Sequence, residues 1–203
     1  MRLIIVRHGQ TEYNVKNIVQ GQSGNPLDET GREQARKAGE RLSAEKIDVA
    51  YSSDLNRARM TCEAIMKHHP GIPVHYVKEL REMDMGTFVD GPKEAYNQHK
   101  RKSGLSKLEY RPPGGESHRD MRERVIPFLE GIKEGHRGQT VLIVTHGGIK
   151  RILMGELMGK TVEEYFKEKW GNTSVSIVNV TGKGHEVMVY NCTKHLSEKP
   201  GQM

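Results

Sequence analysis

The sequence predicts the α/β fold class, in the form of a three-layer α/β/α sandwich around a mainly parallel sheet. Four short apolar runs read as strands, at residues 3–6, 48–51, 74–77 and 141–144. Most of them lack an alternation of polar and apolar residues, which is typical of strands buried on both faces. Segments with a helical spacing of apolar residues lie between these runs, and such an order favours right-handed crossovers between parallel strands.

Several of the predicted helices carry recognisable start signals. One has a candidate capping box in Thr30 and Glu33, ahead of a stripe of apolar residues. Another follows Ser117 and contains Pro127, which removes one backbone hydrogen bond and is expected to bend the helix. A further helix is predicted to begin near Gly147, directly after the fourth strand.

Three other segments complete the predicted architecture. Residues 175–180 and 186–190 flank a turn-rich link, so we expect a hairpin that makes one edge of the sheet antiparallel. Residues 91–115 are rich in Lys, Gly and Pro and too long for a bare loop, which predicts a helical lid insertion. We expect residues 1–203 to form one domain, with residues 197–203 as a flexible tail.

The composition is ordinary for a globular protein, with 34% hydrophobic and 29% charged residues. No apolar run approaches the roughly 20 residues that span a bilayer, so we expect a cytoplasmic protein. Cys62 and Cys192 lie far apart and outside any C-x-x-C pattern, which predicts reduced thiols. The net charge of +6 favours anionic partners, but a phosphorylated metabolite, a nucleic acid and an anionic membrane all satisfy it.

Two predicted strands end in a histidine. His8 follows the first strand and His146 follows the fourth. Because ligands of α/β sheets bind at the carboxyl ends of the strands, we expect both imidazoles on one rim. Each histidine precedes a glycine, which lets the backbone approach a ligand closely. Gly147 and Gly148 also open a helix, whose free N–H groups favour an anion.

Two arginines and a glutamate belong to the same rim. Arg7 adjoins the first histidine, and Arg57 lies in the first turn of the helix after the second strand. Guanidinium groups stay charged and offer paired donors, so these two are candidates for a phosphate clamp. Glu82, after the third strand, offers a carboxyl group that protonates a departing alkoxide. We expect the negative charge of a bound anion to favour its protonated form.

These motifs, taken in order, resemble those of the histidine phosphatases, also called the phosphoglycerate mutase-like superfamily. The matching elements span nearly the whole chain, and six of them in the family's order are far more specific than Arg-His-Gly alone. They are Arg7-His8-Gly9-x-Thr11 with Asn14, Gly21 before Pro26-Leu27, Ser52-Ser53-x-x-x-Arg57-Ala58, Leu80-x-Glu82-x-x-x-Gly86, Pro113-Gly114-Gly115-Glu116-Ser117 and Val144-Thr145-His146-Gly147-Gly148.

The resemblance implies a role for each residue of the rim. His8 is the nucleophile and carries the phosphoryl group as a covalent phosphohistidine. Glu82 is the proton donor and later the base for water, while Arg7, Arg57 and His146 hold the phosphoryl oxygens. The implied substrate contacts are Arg7, Asn14, Gln20, Gly21, Arg57, Glu82 and the Gly147 amide.

The implied activity is that of a metal-independent phosphomonoester hydrolase. It needs no cofactor and no metal site, acts on a small phosphorylated metabolite without a nucleic-acid or membrane partner, and works as a monomer or homodimer. The alternative is a cofactor-dependent phosphoglycerate mutase that uses the same phosphohistidine. Similar mutases usually run longer and carry Arg-His-Tyr-Gly after the glutamate, where this chain has Met-Asp-Met-Gly at residues 83–86, which favours the phosphatase. An α-ribazole or sugar-phosphate phosphatase is a further alternative.

The chain departs from the family after the glutamate. Residues 86–91 read Gly-Thr-Phe-Val-Asp-Gly, where the family usually has Gly-x-Trp-Glu-Gly, so the resemblance implies no particular substrate. The lid is also crowded with basic residues, which either meet a second negative charge on the substrate or form a solvated helix face. These residues are Lys93, His99, Lys100, Arg101, Lys102, Lys107 and Arg111.

Interpretations from other classes have less support. Residues 155–161 resemble a nucleotide P-loop, but the glycine spacing is one residue short and no strand precedes them. They predict a helix end, followed by a short helix that Thr161 caps. The basic cluster at residues 100–102 suggests a nucleic-acid-binding module, which would give His8 and Glu82 no role. The remaining histidines lack zinc-ligand spacing and are expected on the surface; examples are His68, His69, His99, His118 and His136.

Overall fold

The computed structural model describes residues 1–182 and 184–197. In this part of the chain, strands and helices alternate as far as the carboxyl-terminal hairpin. The strands are β1 (Arg2–Arg7), β2 (Val49–Ser53), β3 (Val74–Val77), β4 (Thr140–Thr145), β5 (Val175–Thr181) and β6 (Gly184–Cys192). The helices are α1 (Glu12–Val15), α2 (Glu29–Leu42), α3 (Asn56–Met66), α4 (Lys93–Lys102), α5 (His118–Gly135), α6 (Gly147–Leu157) and α7 (Val162–Tyr165).

The strands form one mixed sheet in the order β3-β2-β4-β1-β5-β6. Strands β1 to β4 run parallel, whereas β5 is antiparallel to both of its neighbours, β1 and β6. The predicted parallel sheet with an antiparallel hairpin at one edge is therefore confirmed. In the pairing of β1 with β4, Arg7 lies opposite Thr145, so the residues that follow these two strands leave the sheet side by side.

Helices cover both faces of the sheet. Leu3 and Ile5 of β1 join an apolar cluster with α5 and α6, whereas Ile4 and Val6 join a second cluster with α2 and α3. All four side chains are completely buried, and each such burial contributes about 1.5–3 kcal/mol. The α/β/α sandwich predicted from the sequence is confirmed.

Strand β3 differs from the prediction of strands buried on both faces. It lies at the edge of the sheet, and His75 and Tyr76 in its middle are exposed. The prediction was wrong for this strand because an apolar run of four residues does not distinguish an edge position from a central one.

The helix starts agree with the sequence at all but one of the predicted caps. Ser117 caps α5 and Thr161 caps α7, each with a capping box, and α6 begins at Gly147 as predicted. The capping box predicted at Thr30 is wrong. Asp28 caps α2 instead, and its carboxylate accepts a hydrogen bond from the Gly31 amide at 2.7 Å, since a carboxylate is the stronger acceptor for free N–H groups.

The remaining predicted segments have mixed outcomes. Residues 91–115 contain α4, which begins directly after Pro92, and their role as a lid stays a prediction. Of the predicted tail, residues 198–203 lie outside the described residues. Cys62 and Cys192 are free thiols, as expected. Within residues 1–182 and 184–197, no helix combines the length and apolar character needed to cross a membrane.

Candidate active site

The two histidines meet at the carboxyl end of the sheet. Their ring centres lie 5.1 Å apart, with His8 3% exposed and His146 completely buried. The parallel register of β1 and β4 explains this proximity, because each imidazole follows the last residue of its strand. The neighbouring glycines allow close backbone approach: a Cβ on Gly9 would lie 2.5 Å from the Gly31 carbonyl oxygen.

The geometry of His8 leaves one ring nitrogen available. Its Nδ1 lies 2.7 Å from the Gly9 carbonyl oxygen, and because that oxygen only accepts, Nδ1 carries the proton. The Nε2 lone pair is then free. Burial lowers the pKa of the His8 imidazole well below its ordinary value, and the positive charges of Arg57 and Arg7 lower it further. The ring is therefore neutral near pH 7.

A hydrogen bond to strand β2 holds the His146 side chain. Its Nε2 lies 2.8 Å from the hydroxyl oxygen of Ser53, the last residue of β2. Burial, followed by the charge of Arg57, lowers the pKa of this imidazole well below its ordinary value. Its buried Nδ1 has no hydrogen-bond partner among the described residues. That nitrogen is left to interact with a bound group.

The two predicted clamp arginines each retain an unused nitrogen. Arg57 is 1% exposed and donates from its two terminal nitrogens to the carbonyl oxygens of Gly21 (2.7 Å) and Ser23 (3.0 Å). Arg7 donates to the Trp170 carbonyl oxygen at 2.6 Å. In both side chains Nε is buried without a partner in the described part of the chain. One N–H group of each terminal nitrogen of Arg57 thus serves the fold, and its buried Nε–H group is among the donors left for a ligand.

Glu82 is anchored by backbone amides. One carboxylate oxygen accepts from Met83 N and the other accepts from Gly148 N, both at 3.0 Å. A Cβ on Gly148 would lie 2.2 Å from a Glu82 oxygen, so a side chain at this position would displace the carboxylate. The main chain of Glu82 is held as well, because Arg124 and Gln22 both donate to its carbonyl oxygen at 3.2 Å.

The other predicted contact residues line one pocket together with these groups. Asn14, Gln20, Gly21 and Gly147 all contribute to its wall, and the buried amide oxygen of Gln20 has no partner among the described residues. The pocket has a volume of about 410 Å³ and also contains Arg7, His8, Arg57 and Glu82. His146 lies beside His8 but not in the wall itself.

The opposite wall comes from the lid and α6. Of the predicted basic lid residues, Lys93, Lys100 and Lys107 line the pocket. Arg101 and Arg111 instead pair with Glu94 and Asp120 at 2.5 and 2.6 Å. The two interpretations of the basic lid therefore apply to different residues: some of its cations face the pocket and others stabilise the surface.

Several residues of the pocket wall were not predicted as site residues, among them Arg151, Phe166 and His118. Arg151 lies on α6 one turn after Gly147, a spacing that identifies it once the helix start is known. Phe166 follows α7, and no sequence signal pointed to it. His118 was expected on the surface but lines the pocket, with its ring 4.6 Å from that of Phe166. Burial lowers the pKa of His118 to about 4.

The site has no obvious metal ligands. Within the described residues, no group of three or more His, Cys, Asp or Glu side chains is arranged to hold a metal ion.

Comparison with known proteins identifies the family. The model of the histidine phosphatase superfamily (branch 1) matches residues 3–193. The chain belongs to this superfamily. The match includes every residue that we placed in the site, and it confirms the resemblance drawn from the motifs.

Relatives within the histidine phosphatase superfamily carry two kinds of name. The 2,3-bisphosphoglycerate-dependent phosphoglycerate mutase of Brucella melitensis biotype 2 (strain ATCC 23457) is 36% identical over 186 residues, covering 87% of this chain and 90% of that protein. Among solved structures, YhfR of Bacillus stearothermophilus is 30% identical with a TM-score of 0.87, covering 96% of this chain and 98% of that one. A mycobacterial glucosyl-3-phosphoglycerate phosphatase solved with VO3 is 29% identical with a TM-score of 0.82, covering 94% and 98%.

Proposed function

We propose that the protein is a phosphomonoester hydrolase that works through a covalent phosphohistidine on His8. One observation carries this proposal: a neutral imidazole with a free Nε2 lies among buried donors that lack partners in the described part of the chain. Leaving a buried donor unsatisfied costs about 1–3 kcal/mol, so a group of them indicates a ligand that the site is built to receive. A phosphoryl group, with its anionic oxygens, suits these donors.

The first step transfers the phosphoryl group to the enzyme. His8 Nε2 attacks phosphorus, forming the P–N bond as the P–O bond to the alcohol breaks, and Glu82 gives its proton to the departing oxygen. The guanidinium groups of Arg7 and Arg57 stabilise charge on the phosphoryl oxygens, and His146 Nδ1 lies beside the same group.

The second step releases phosphate. Water attacks phosphorus as the P–N bond breaks, and the lone pair returns to His8 Nε2. The Glu82 carboxylate accepts the proton of the attacking water, which restores the acid form for the next cycle. Fixed anchoring of Glu82 by the Met83 and Gly148 amides supports both roles, since a proton donor must stay within reach of the reacting oxygen.

We propose that this reaction needs no metal ion. Neutralisation of the phosphoryl charge is what a divalent cation supplies in many phosphoryl-transfer enzymes. Here the buried Arg57 and the half-buried Arg7 would supply it. Although burial lowers the pKa of Arg57 to about 10, its guanidinium stays charged near neutral pH.

The substrate is proposed to carry a second anionic group. The pocket wall has six Lys or Arg side chains against one carboxylate, that of Glu82, among the residues the structure describes. Arg7 and Arg57 suffice for the reacting phosphate, which leaves Lys93, Lys100, Lys107 and Arg151 for another group. None of these four forms an ion pair within the described part of the chain, so their charge is free for a ligand. A small phosphorylated metabolite fits this distribution better than a nucleic acid.

The test is an assay of purified, chelator-treated protein against a panel of phosphomonoesters that includes 3-phosphoglycerate. We expect release of inorganic phosphate and, on rapid quenching, an acid-labile phosphohistidine that is absent from the His8→Ala variant. Persistence of full activity in that variant, or abolition of activity by the chelator with recovery on adding metal, would contradict the proposal.

Phosphoglycerate mutase activity is the second candidate. The 36% identical relative named as a mutase favours it, because a mutase uses the same phosphohistidine but returns the phosphoryl group to a substrate. Neither of the two solved structures above is named as a mutase, and one of them is named as a phosphatase. Measuring positional transfer alongside phosphate release distinguishes the two: transfer without release indicates the mutase.

A further inference from the structure

A lysine is completely buried behind the proposed phosphate site. Lys150 lies in the first turn of α6, three residues after Gly147, and its side chain has no exposed surface. Its Nζ donates to the Ser174 carbonyl oxygen at 2.6 Å and to the Ser174 hydroxyl at 3.1 Å, and it lies 5.0 Å from the centre of the Trp170 ring. No carboxylate pairs with it among the described residues.

Burial of the Lys150 amine without a carboxylate partner is energetically unfavourable on its own. Burial lowers the pKa of the Lys150 ammonium well below its ordinary value, and the nearby charge of Arg7 lowers it further. An apolar side chain of the same length would avoid the cost of removing an amine from water. The contacts of Lys150 with residues 170–174 offer a reason for a lysine at this position.

Residues 170–174 form hydrogen bonds with Arg7 and His8, the two residues that act on phosphorus in the first step of the proposed reaction. The Trp170 carbonyl oxygen accepts from the Arg7 guanidinium at 2.6 Å, and the Ser174 carbonyl oxygen accepts from the Arg7 amide at 3.3 Å. The His8 carbonyl oxygen accepts from the Asn172 side chain at 3.1 Å and from the Thr173 amide at 3.3 Å. The segment thus fixes both the backbone and the guanidinium beside the nucleophile.

The same segment contains a strained residue. Thr173 has φ of 50°, a left-handed conformation that a β-branched residue rarely adopts. Such conformations cost on the order of 1–3 kcal/mol and persist only where surrounding contacts hold them. Contacts flank Thr173 on both sides, because its hydroxyl lies 3.1 Å from His195 Nε2 and the next residue, Ser174, is held by Lys150.

We infer that Lys150 is a positioning residue for phosphoryl transfer, which braces residues 170–174 so that Trp170 orients the Arg7 guanidinium beside His8. The inference rests on the proposed function for the roles of Arg7 and His8. Lys150 itself is buried away from the pocket wall and touches no substrate in this arrangement.

The experiment compares Lys150→Met with the wild-type protein, using Lys46→Met, an exposed lysine paired with Asp48, as the matched control. Folding is checked by circular dichroism and thermal melting. The readouts are kcat/KM for a phosphomonoester, the rate of phosphohistidine formation in a single turnover, and the dissociation constant of vanadate from an equilibrium titration. Vanadate binding is measured without turnover, so it reports on the Arg7 site even if the proposed reaction is incorrect.

We expect Lys150→Met to remain folded and to lose kcat/KM on the order of a hundredfold, because a displacement of about 1 Å in a catalytic group has effects of that size. Phosphohistidine formation should slow in parallel, and vanadate should bind more weakly. A variant that melts earlier but keeps wild-type kcat/KM and vanadate affinity would overturn the inference, since Lys150 would then only stabilise the fold.

A second variant covers the case in which Lys150→Met does not fold. Ser174→Ala removes one of the two acceptors of Lys150 without leaving a cavity in α6. Loss of a single hydrogen bond changes an equilibrium constant by about threefold to tenfold. We expect a loss of that size in both kcat/KM and vanadate affinity. Unchanged values in this variant would also overturn the inference.

Discussion

The two sides of the pocket differ in how their polar groups are held. On the side of the proposed reaction, His8, Arg57 and His146 are at most 3% exposed, and each hydrogen-bonds to the main chain or to Ser53. At the lid wall, Lys93 and Lys107 are exposed and have no ion-pair partner in the described residues. Buried groups held by backbone suit one fixed reaction geometry, whereas long exposed cations adapt to leaving groups of different shape. The difference separates the chemistry from the choice of substrate.

The largest effect is expected at Glu82, the proposed proton donor. Glu82→Gln keeps the shape of the side chain but removes the transferable proton, and general acid–base groups contribute about 10²- to 10⁴-fold to a rate. We expect a loss in that range with an alkyl phosphate and a much smaller loss with p-nitrophenyl phosphate, whose leaving group needs no proton. Glu79→Gln, an exposed neighbour, is the control. Equal losses with both esters would exclude Glu82 as the donor.

A smaller effect is expected from substitution of Arg57, a residue of the proposed phosphate clamp. Arg57→Ala should reduce turnover on the order of a hundredfold or more, because one stabilising donor is worth about 2.7–4 kcal/mol in a transition state. Arg59→Ala, two residues later on α3, removes an exposed arginine that pairs with Glu63. Kinetics that are equally impaired in both variants would indicate damage to α3 instead of loss of a phosphate contact.

At the lid wall the effect should depend on the substrate. Lys100→Met is expected to lower kcat/KM about fivefold for phosphomonoesters with a second carboxylate or phosphate, since one partly exposed charge contact is worth about 1 kcal/mol. Activity on p-nitrophenyl phosphate should stay unchanged. Lys102→Met, on the same helix but outside the pocket, is the control. An equal loss on both substrate types would show that the lid affects the chemistry.

The smallest change is expected between pH 7 and pH 6. Because burial and the two arginines lower the pKa of His8, its ring gains a proton only well below the ordinary pKa of about 6.5. Activity therefore falls as pH drops through that lowered value, not near 6.5. After correction for ionisation of the substrate, kcat/KM should change less than about twofold over this interval. An acidic limb centred near 6.5 would show that His8 titrates as an exposed histidine does.

Much of the fold and the site was predictable because the relevant signals are local. Apolar runs and helical spacing identified the sheet and its helices, and the capping residues Ser117 and Thr161 marked helix starts. Polar residues after strand ends located His8 and His146, since parallel strands bring their carboxyl ends together. The capping-box pattern at Thr30 selected the wrong cap, because the Asp28 carboxylate two residues earlier caps α2.

The sequence alone determined the fold class, the order of the motifs and the identity of the candidate nucleophile, because each depends on residues that are close along the chain. Tertiary structure decided which charges share the pocket and which donors lack partners. Only packing places His118 in the wall and Lys150 behind Arg7, across the gap of 24 residues that separates Lys150 from Ser174. Such contacts depend on how α6 and residues 170–174 meet, and no periodicity within either segment encodes the other's position.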